Sequence, residues 1–511
     1  MAARITDIMW KQQFIRFAND GVNLQAQIRQ MMVSAILDRM LSANNPIISS
    51  RKLAQELGVG RNTVVLAYQQ LADEGYIVAR ERSGYYVNLD ILEGHIAPTT
   101  DASLHENPKP NTTTDWQSRL QFKPSQQRVI IKEENWQKYP YPFLYGQFDA
   151  NLFPTASWRE CCMKLLSVME IRDWAPDLIS GDDSSLIEQI RERVLPRRGV
   201  WANSDEILIT VGAQQALYLL AEMLVGQDTV VGIEDPGYPD IRNIVVQRTQ
   251  HKKALPVDEH GLILDEEVES CDYVYVTPSH QCPTTVTMPV ERRNELLHMA
   301  KEQDFIIIED DYESQNSFYE TPNPALKSLD TDNRVIYIGS LSKSLAPGLR
   351  LGFIVAPKEL TSEVRALRRL MVRHPAIFIQ RSFSLFLSLG FFDTLQRRHN
   401  QAFKERAETL AAALEKHMPE VSFNPIMGGA SCWVCGPKWL KSRELAAEAE
   451  KEGILIEPGD IFFMGKNVQR NFFRLGFSSI DTDKIEPGIA VLANILHRMT
   501  PATLNLSDLP T

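Results

Sequence analysis

The sequence has few cysteines and no long apolar run. Its six cysteines are scattered, and although Cys432 and Cys435 form a CxxC, no second pair accompanies them, so neither a disulfide framework nor a zinc site is indicated. The apolar run FSLFLSLGFF is much shorter than the roughly 18 residues that span a bilayer. The N-terminal stretch MAARITDIMWKQQF contains no continuous apolar secretion signal. We therefore expect a cytoplasmic protein with no membrane segment and no metal site.

A surplus of basic residues, common in DNA-binding chains, is also missing. The 511 residues carry a net charge of −11. Residues 1–90 hold ten Lys and Arg against eight Asp and Glu, so they carry +2 and the remainder carries −13. This asymmetry permits DNA binding near the N-terminus without demonstrating it. The length indicates two or three domains.

Residues 22–88 contain a dense series of helix and strand patterns. The stretch VNLQAQIRQMMVSAILDRML has apolar residues at three- and four-residue spacings, which predicts a helix. Ser49 or Ser50 can cap a short helix at 51–57, and another helix begins near Arg61. IVARERSGYYV then predicts two short strands around a turn. This order is typical of a winged helix-turn-helix, with a small helical protein-binding module as the alternative.

The stretch GVGRNTVVLAY is the candidate recognition helix. Its first turn carries side chains that pair well with bases, arginine with guanine and asparagine with adenine. Flanking arginines can reach phosphates, and a glycine at the wing tip allows close approach to the DNA backbone. The candidate DNA contacts are Ser50, Arg51, Arg61, Asn62, Thr63, Arg82 and Gly84. Over its length, SSRKLAQELGVGRNTVVLAYQQLADEGYIVARERSGYYV resembles the GntR-type winged helix, although Ile47 and Ile48 replace the usual Leu-Pro.

The composition changes after this block. Residues 89–135 include APTTDASLHENPKPNTTTD, which is rich in Pro, Thr and Asn and predicts a flexible linker. From about residue 136, apolar runs such as EILITV, YVYVTP, FIIIED and RVIYIG alternate with helical patterns. This alternation predicts an α/β domain with a mostly parallel sheet covered by helices on both faces. We thus predict a DNA-binding domain at 1–88, a linker at 89–135 and an α/β domain at 136–511.

Chemically useful residues follow the ends of these strands, where parallel sheets bind ligands. In GSLSKSLAPGLRLG, Lys343 offers an amine for a Schiff base and Arg350 a guanidinium for phosphate. GAQQAL opens a helix, and helix N-termini bind phosphate. Asp310 can pair with a pyridinium nitrogen, although a solvated acidic strand end is the simpler interpretation of IEDDY alone. Tyr238 either stacks on a ring or fills a turn, and Arg474 is a candidate clamp for a carboxylate.

Together these features predict a pyridoxal 5′-phosphate site. The candidate cofactor residues are Gly212, Ala213, Gln214, Tyr238, Asp310, Tyr312, Ser340, Ser342, Lys343 and Arg350. Over most of residues 140–500 the order of motifs resembles fold type I aminotransferases, most specifically in SLSKSLAPGLRLGF, IEDDY and TVGAQQAL. The resemblance implies that Lys343 forms the internal aldimine, that Asp310 pairs with the pyridine nitrogen and that Arg474 binds the substrate carboxylate.

Two segments depart from that aminotransferase pattern. HQCPTT, 280–285, stands in place of Asn-Pro-Thr-Gly, so Cys282 occupies the asparagine position. ISGDD, 179–183, lacks the tyrosine of the family's Tyr-Gly-Asp. His280 or Gln281 is a candidate replacement for the lost asparagine contact, and we include His280 among the effector-binding residues. The departures suggest that cofactor binding is kept while efficient turnover is eroded.

The two halves in this order resemble the MocR/GabR subfamily of GntR regulators. The resemblance implies a transcriptional regulator that binds pyridoxal 5′-phosphate and senses a small amino acid or amine by external aldimine formation. It also implies a head-to-tail, domain-swapped homodimer that binds a double-stranded operator with two half-sites and controls genes for the metabolism of its effector. The expected enzymatic turnover is at most a residual half-reaction. The alternatives are an active aminotransferase whose winged helix only autoregulates, and a DNA-binding protein whose sensor has lost its cofactor.

Overall fold

The computed structural model describes residues 7–17, 22–80, 83–91, 114–177, 181–313, 317–318, 324–465 and 468–501. The chain divides into two compact units, with the boundary between Ser118 and Arg119. This boundary falls inside the segment that composition assigns to the linker. Residues 119–135 therefore belong to the second unit, and the limits of the three predicted segments stay a prediction.

The first unit combines four helices and a hairpin. The elements are α1 Asp7–Arg16, α2 Leu24–Leu37, α3 Ser50–Leu57, α4 Arg61–Asp73, β1 Ile77–Arg80 and β2 Gly84–Val87. Ser49 caps α3 by accepting a hydrogen bond from the backbone N–H of Lys52, and Gly58, in the left-handed region at φ 68°, ends it. Strands β1 and β2 pair antiparallel. The helix-turn-helix and wing predicted from the sequence are confirmed.

The core of the first unit follows from the spacing of its apolar residues. In α2 the buried side chains include Ile28, Met31, Met32 and Ala35, which lie on one face of a helix. Val64 and Ala67 of α4 are fully buried in the same cluster. The opposite face of α4, including its first two residues, is left to solvent.

The second unit is an α/β structure. Helix α5 Trp116–Arg119 crosses the unit boundary. The helices that follow are α6 Thr155–Lys164, α7 Val168–Trp174, α8 Ser184–Gln189, α9 Gly212–Leu224, α10 Pro239–Val245, α11 Glu266–Glu269, α12 Val290–Glu302, α13 Leu326–Leu329, α14 Ser342–Leu345, α15 Lys358–Val372, α16 Ile377–Ser388, α17 Phe391–His417, α18 Ser442–Lys451 and α19 Thr482–Met499.

The strands of the second unit form three sheets. They are β3 Tyr141–Pro142, β4 Ile207–Thr210, β5 Val231–Asp235, β6 Lys252–Asp258, β7 Gly261–Leu262, β8 Tyr273–Val276, β9 Ile306–Asp311, β10 Val335–Ser340, β11 Gly352–Val355, β12 Ser422–Phe423, β13 Ser431–Cys435, β14 Ile454–Leu455, β15 Glu457–Pro458 and β16 Phe472–Gly476. The large sheet has the order β4-β11-β10-β9-β8-β5-β6-β7. Strands β10, β9, β8, β5 and β6 run parallel, whereas β11 is antiparallel to both of its neighbours. A four-stranded sheet and the pair β3–β14 complete the unit.

The large sheet is buried on both faces. In β10, Ile336 and Ile338 pack into one apolar cluster, whereas Tyr337 packs into another that contains Phe383 of α16. Because successive side chains of a strand point to opposite faces, helices cover both sides. The mostly parallel sheet with helices on both faces, predicted from the apolar runs, is confirmed. No helix among the described residues has the length and apolar character needed to cross a membrane.

Candidate functional site

A cavity of about 360 Å³ lies at the carboxyl ends of the parallel strands. It brings together segments that are far apart in the sequence, because these strand ends meet at one edge of the sheet. Eleven of the predicted residues line it: Gly212, Ala213, Gln214, Tyr238, Asp310, Tyr312, Ser340, Ser342, Lys343, Arg350 and Arg474. The wall also includes residues that sequence reasoning missed, among them Lys132, Tyr145, Asp240 and Tyr275.

Lys343 projects from the short helix α14 into the cavity. Its Nζ lies 2.7 Å from the hydroxyl of Tyr145 and 4.1 Å from the ring centroid of Tyr312. The residue is accessible to solvent from the cavity. Desolvation by the surrounding protein nevertheless lowers the pKa of Lys343, with the carboxylates of Glu313 and Asp310 acting in the opposite direction. A lowered pKa raises the fraction of neutral amine, which is the nucleophilic form.

Asp310 is buried at the end of β9, contrary to the interpretation of this segment as a solvated acidic strand end. Its Oδ2 accepts a hydrogen bond of 2.8 Å from the hydroxyl of Tyr275. Its Oδ1 is buried and has no hydrogen-bond partner among the described residues. Burial raises the pKa of Asp310 to about 6. Asp310 lines the cavity, and its unpartnered carboxylate oxygen fits a protonated ring nitrogen, which would supply the missing donor.

The opposite end of the cavity is suited to a phosphate. The N-terminus of α9 begins at Gly212, and the Arg350 guanidinium lies beside it, donating to the carbonyl of Val211 at 3.4 Å. A Cβ on Gly352 would lie only 2.8 Å from the backbone of Gly212 and 2.9 Å from that of Ala213, so this close approach requires glycine. Backbone N–H groups at a helix start and a nearby guanidinium together bind phosphate well.

Ser342 has a different role from the predicted one. Its hydroxyl donates to the carbonyl of Leu351 at 3.0 Å and also accepts from the Leu351 backbone N–H. The donor proton that was expected to bind phosphate is therefore engaged within the loop. Ser342 lines the cavity but stabilises the turn between Lys343 and Arg350, while Ser340 ends β10 at the cavity wall.

Tyr238 is held in place by two hydrogen bonds. Its hydroxyl donates to Gln214 Oε1 at 2.9 Å and to Asp240 Oδ2 at 3.1 Å, as alternative acceptors for one proton. These contacts tie the loop before α10 to the first turn of α9. The ring thus lines the cavity in a fixed position, as a stacking residue requires.

Arg474 is a buried cation on the C-terminal side of the cavity. Its Nε donates to Glu457 Oε2 at 2.7 Å, and its Cζ lies 4.2 Å from the ring centroid of Tyr145 and 4.7 Å from that of Phe462. The carboxylate of Glu457 raises the pKa of Arg474 against the opposing effect of burial. The Glu457 bond uses Nε, and among the described residues the two terminal nitrogens have no hydrogen-bond acceptor, so they can bind an acidic group in the cavity.

His280 is not among the residues that line this cavity, and its predicted contact with an effector stays a prediction. It is buried, burial lowers its pKa to about 4, and its Nδ1 has no partner among the described residues. Gln281 is likewise turned away, donating to Glu234 Oε2 at 3.2 Å and to the Pro236 carbonyl at 2.8 Å. Cys282 alone of this group lines the cavity, where burial raises the pKa of its thiol to about 11.

The described residues of ISGDD, the second segment that differs from the aminotransferase pattern, do not line the cavity. Ile179 and Ser180 of ISGDD are outside the described residues. The side chain of Asp182 is buried and pairs with Arg368, whose Nη1 is 2.6 Å from the Oδ1 of Asp182. Asp183 caps α8 by accepting from the Leu186 N–H. The described acidic residues of this segment therefore have structural partners.

The predicted DNA-contacting residues lie on the surface of the first unit. Arg51 is exposed on α3, next to the partly buried Ser50, and Arg61 and Asn62 are exposed in the first turn of α4, followed by the partly buried Thr63. Gly84, at φ 101°, forms the exposed tip of the β1–β2 hairpin, while Arg82 lies outside the described residues. Their roles in DNA binding stay predictions.

Two family models match separate parts of the chain. The model for bacterial regulatory proteins of the gntR family matches residues 24–87, and the model for aminotransferase class I and II matches residues 182–492. The first match covers the helix-turn-helix and the wing. The second covers the cavity lining from Gly212 to Arg474.

Two regulators align with nearly the whole chain. The HTH-type transcriptional regulator TauR of Rhodobacter capsulatus is 40% identical over 93% of this chain and 97% of its own length. The probable rhizopine catabolism regulatory protein MocR of Rhizobium meliloti is 28% identical over 92% of both chains. Among solved structures, the α-aminoadipate aminotransferase LysN of Thermus thermophilus, in complex with N-(5′-phosphopyridoxyl)-L-leucine, superposes with a TM-score of 0.68 at 27% identity, covering 75% of this chain and 99% of that one.

Proposed function

The chain belongs to the MocR-type transcriptional regulators, in which a GntR helix-turn-helix is fused to a class I and II aminotransferase domain, and from this premise we propose that it senses a small amino compound through pyridoxal 5′-phosphate. The cavity supports this proposal by one observation above the others. It combines the lysine amine of Lys343, the unpartnered carboxylate oxygen of Asp310 and the guanidinium of Arg350 beside a helix start. These groups match the aldehyde, the ring nitrogen and the phosphate of that cofactor.

Each residue has a defined task in the proposed sensor. When bound, the cofactor supplies an aldehyde carbon that can be linked to an amine, either that of Lys343 or that of an effector. Asp310 would hold the ring nitrogen protonated, and Arg350 with the first turn of α9 would hold the phosphate. Arg474 offers its terminal nitrogens to the acidic group of the effector. An effector therefore competes with Lys343 while its other end is fixed by Arg474.

The output is a change in operator binding. We propose that the protein acts as a head-to-tail, domain-swapped homodimer in the cytoplasm, with one winged helix on each half-site of the operator. Displacement of Lys343 from the cofactor by an effector amine would change the closure of the aminotransferase-like domain and thereby the arrangement of the two winged helices. A coupling of about 1–3 kcal/mol between the effector and operator sites is enough for such a response. The genes controlled are those for the metabolism of the effector.

The alternative function is that of an active aminotransferase, which converts substrate in repeated catalytic cycles. Cys282 at the cavity wall stands where aminotransferases have an asparagine, and a thiol that stays protonated is a weaker hydrogen-bond donor than an amide. Sustained conversion of an amino donor with a keto-acid acceptor would favour the enzyme. A single half-turnover or none would favour the sensor.

The test is the visible absorption spectrum of the full-length protein saturated with pyridoxal 5′-phosphate. Wild type, Lys343→Ala and the matched surface variant Lys438→Ala are titrated with short amino acids and amines, and operator affinity is measured with each. We expect wild type and Lys438→Ala to show a cofactor band that one class of compound shifts. The Lys343→Ala protein should lack both the band and the effector-dependent change in operator affinity. A Lys343→Ala protein that still responds fully would overturn the proposal.

A further inference from the structure

Residues 127–132, which the composition assigns to a linker, form one wall of the cavity. Gln127 Nε2 donates to the Asn243 carbonyl at 3.0 Å, and Asn243 Nδ2 donates to the Arg128 carbonyl at 2.8 Å. Arg128 also contacts the loop after β15, with its Nη2 3.5 Å from Asp460 Oδ2. Val129, Ile130 and Lys132 then line the cavity. The segment is therefore fixed to the second unit at several points along its length.

Lys132 brings a third cation to the part of the cavity that holds Lys343 and Arg474. The ring of Tyr145 is their common neighbour, with its centroid 5.7 Å from Lys132 Nζ, 4.8 Å from Lys343 Nζ and 4.2 Å from Arg474 Cζ. Three side chains that can carry a positive charge thus surround one ring, with Glu457 bonded to Arg474 and Glu313 acting electrostatically on Lys343. A ligand that reaches all three needs only a short carbon chain.

The charges around Lys132 are not balanced by a direct ion pair. Its Nζ donates to the backbone carbonyl of Tyr145, and no carboxylate lies within salt-bridge distance of it among the described residues. Glu457, the nearest acidic group in electrostatic terms, is hydrogen-bonded to Arg474 instead. Burial lowers the pKa of Lys132 to about 8, with Arg474 and Lys343 adding to the effect and Glu457 opposing it. A bound oxyanion would supply the negative charge that this group lacks.

We propose that Lys132 is a second anion-binding residue of the effector site and, with Arg474, selects short amino compounds that carry an oxyanion over neutral amines. This inference rests on the proposed sensor function and names the chemistry of its ligand. The guanidinium of Arg474 contacts the oxyanion from the β16 side, and the ammonium of Lys132 contacts it from the opposite segment. Because Lys132 lies at the end of residues 127–132, the effector would also hold that segment at the cavity wall.

The first experiment compares anionic with neutral ligands of equal length. Protein saturated with pyridoxal 5′-phosphate is titrated with ω-amino carboxylates and ω-amino sulfonates of two to five carbons, and with the alkylamines of the same lengths, while the cofactor absorbance is followed. Lys132→Met should weaken the binding of anionic members by about tenfold or more, which corresponds to about 1.4 kcal/mol, and leave the alkylamines unchanged. Lys132→Arg should retain most of the affinity, and Lys138→Met, an exposed lysine of the same region, should behave as wild type.

A second experiment does not depend on sensing. Lysines of the wild-type protein are acetylated sparingly at pH 8, and the modification of each is quantified by mass spectrometry in methanesulfonate, acetate or chloride at equal ionic strength. Methanesulfonate and acetate should protect Lys132 several-fold relative to chloride and should not protect Lys138. If Lys132 is protected but the cofactor spectrum of the wild type responds to none of the amino compounds, the sensor function is overturned and anion binding by Lys132 and Arg474 is supported. Absence of protection, or equal affinities in Lys132→Met and wild type, would overturn the proposal for Lys132.

Discussion

The two candidate functional surfaces of this protein differ most in burial. In the first unit, Arg51, Arg61 and Asn62 are exposed on the outside of α3 and α4. In the second unit, Asp310 and Arg474 are 5% and 2% exposed, and burial shifts the pKa of several groups around the cavity. The candidate contacts of the first unit are thus open to solvent, whereas those of the second surround a cavity.

This difference has consequences for how each surface can be altered. An exposed arginine is solvated without a ligand, so its loss removes only an interaction with DNA. A buried charge is held by specific partners, and its loss also leaves those partners uncompensated. Substitutions at the cavity are therefore expected to affect ligand binding more strongly than single substitutions on the recognition helix affect operator binding.

Among the variants considered, Asp310→Asn should have the largest effect, and this effect should be confined to the cavity. Removing the charge opposite the cofactor ring is expected to weaken pyridoxal 5′-phosphate binding by about 1.5–3 kcal/mol, roughly ten- to a hundredfold. Because the pKa of Asp310 is about 6, the wild-type affinity should also fall as the pH drops below 6, whereas the variant should show no such decline. Equilibrium titration with the cofactor from pH 5 to 8 measures both effects.

Asp304→Asn is the matched control, since that carboxylate is 87% exposed and lies in a surface pair with Arg334. It should leave cofactor affinity unchanged. An Asp310→Asn protein with wild-type affinity and the wild-type pH profile would argue against a ring-nitrogen contact.

Arg61→Ala should affect the first unit alone. An arginine that contacts a guanine contributes about 1–3 kcal/mol of discrimination, so affinity for an operator selected from random duplexes by the wild-type protein should fall about five- to a hundredfold. Binding to unrelated duplex DNA should change little, and the cofactor spectrum should not change. Fluorescence anisotropy with specific and non-specific duplexes distinguishes these outcomes.

Arg51→Ala provides the contrasting variant on α3. A phosphate contact carries no sequence information, so this variant should weaken binding to the specific and the non-specific duplex alike. It should also reduce the slope of log affinity against log salt by about one. If Arg61→Ala also weakens binding to the two duplexes equally, the assignment of α4 as the helix that contacts bases is contradicted.

His280→Gln should have the smallest effect, and it should leave the affinities for the cofactor and for the operator unchanged. Folding lowers the pKa of His280 from 6.5 to about 4, so the unfolded chain binds more protons between these values. Stability from this group is present above pH 6.5 and is lost as the pH falls toward 4, at a cost of about 1 kcal/mol between pH 7.5 and 5.5. The urea midpoint of the second unit should differ less between the two pH values in His280→Gln than in wild type. His298→Gln is the control and should behave as wild type, because the His298 side chain is 71% exposed.

Much of the candidate site was predictable because it follows local backbone patterns. Lys343, Asp310 and Gly212 come directly after apolar strands, and parallel strand ends meet at one edge of the sheet. Arg61 and Asn62 follow Gly60 at the start of a helix, where the first turn is left exposed. For these positions, chain order and periodicity were enough to predict which residues share a region.

The direction and partners of individual side chains were not predictable in the same way. His280 and Cys282 are two residues apart, yet only Cys282 lines the cavity, and the hydroxyl of Ser342 is engaged by Leu351. Composition assigned Lys132 to a linker, although the apolar residues of RVIIK, which ends at Lys132, are typical of a segment that packs against a folded domain.

The sequence by itself determined the two folds, their order and the identity of the central lysine, because these depend on periodicity and on motifs within short segments. Only the tertiary structure decided which charges are buried together. Arg474 pairs with Glu457 on the neighbouring strand, and Lys132 shares the ring of Tyr145 with Lys343, which lies far from both along the chain. Such contacts depend on how separate elements pack, and the free energy of a buried charge depends on all of its neighbours at once.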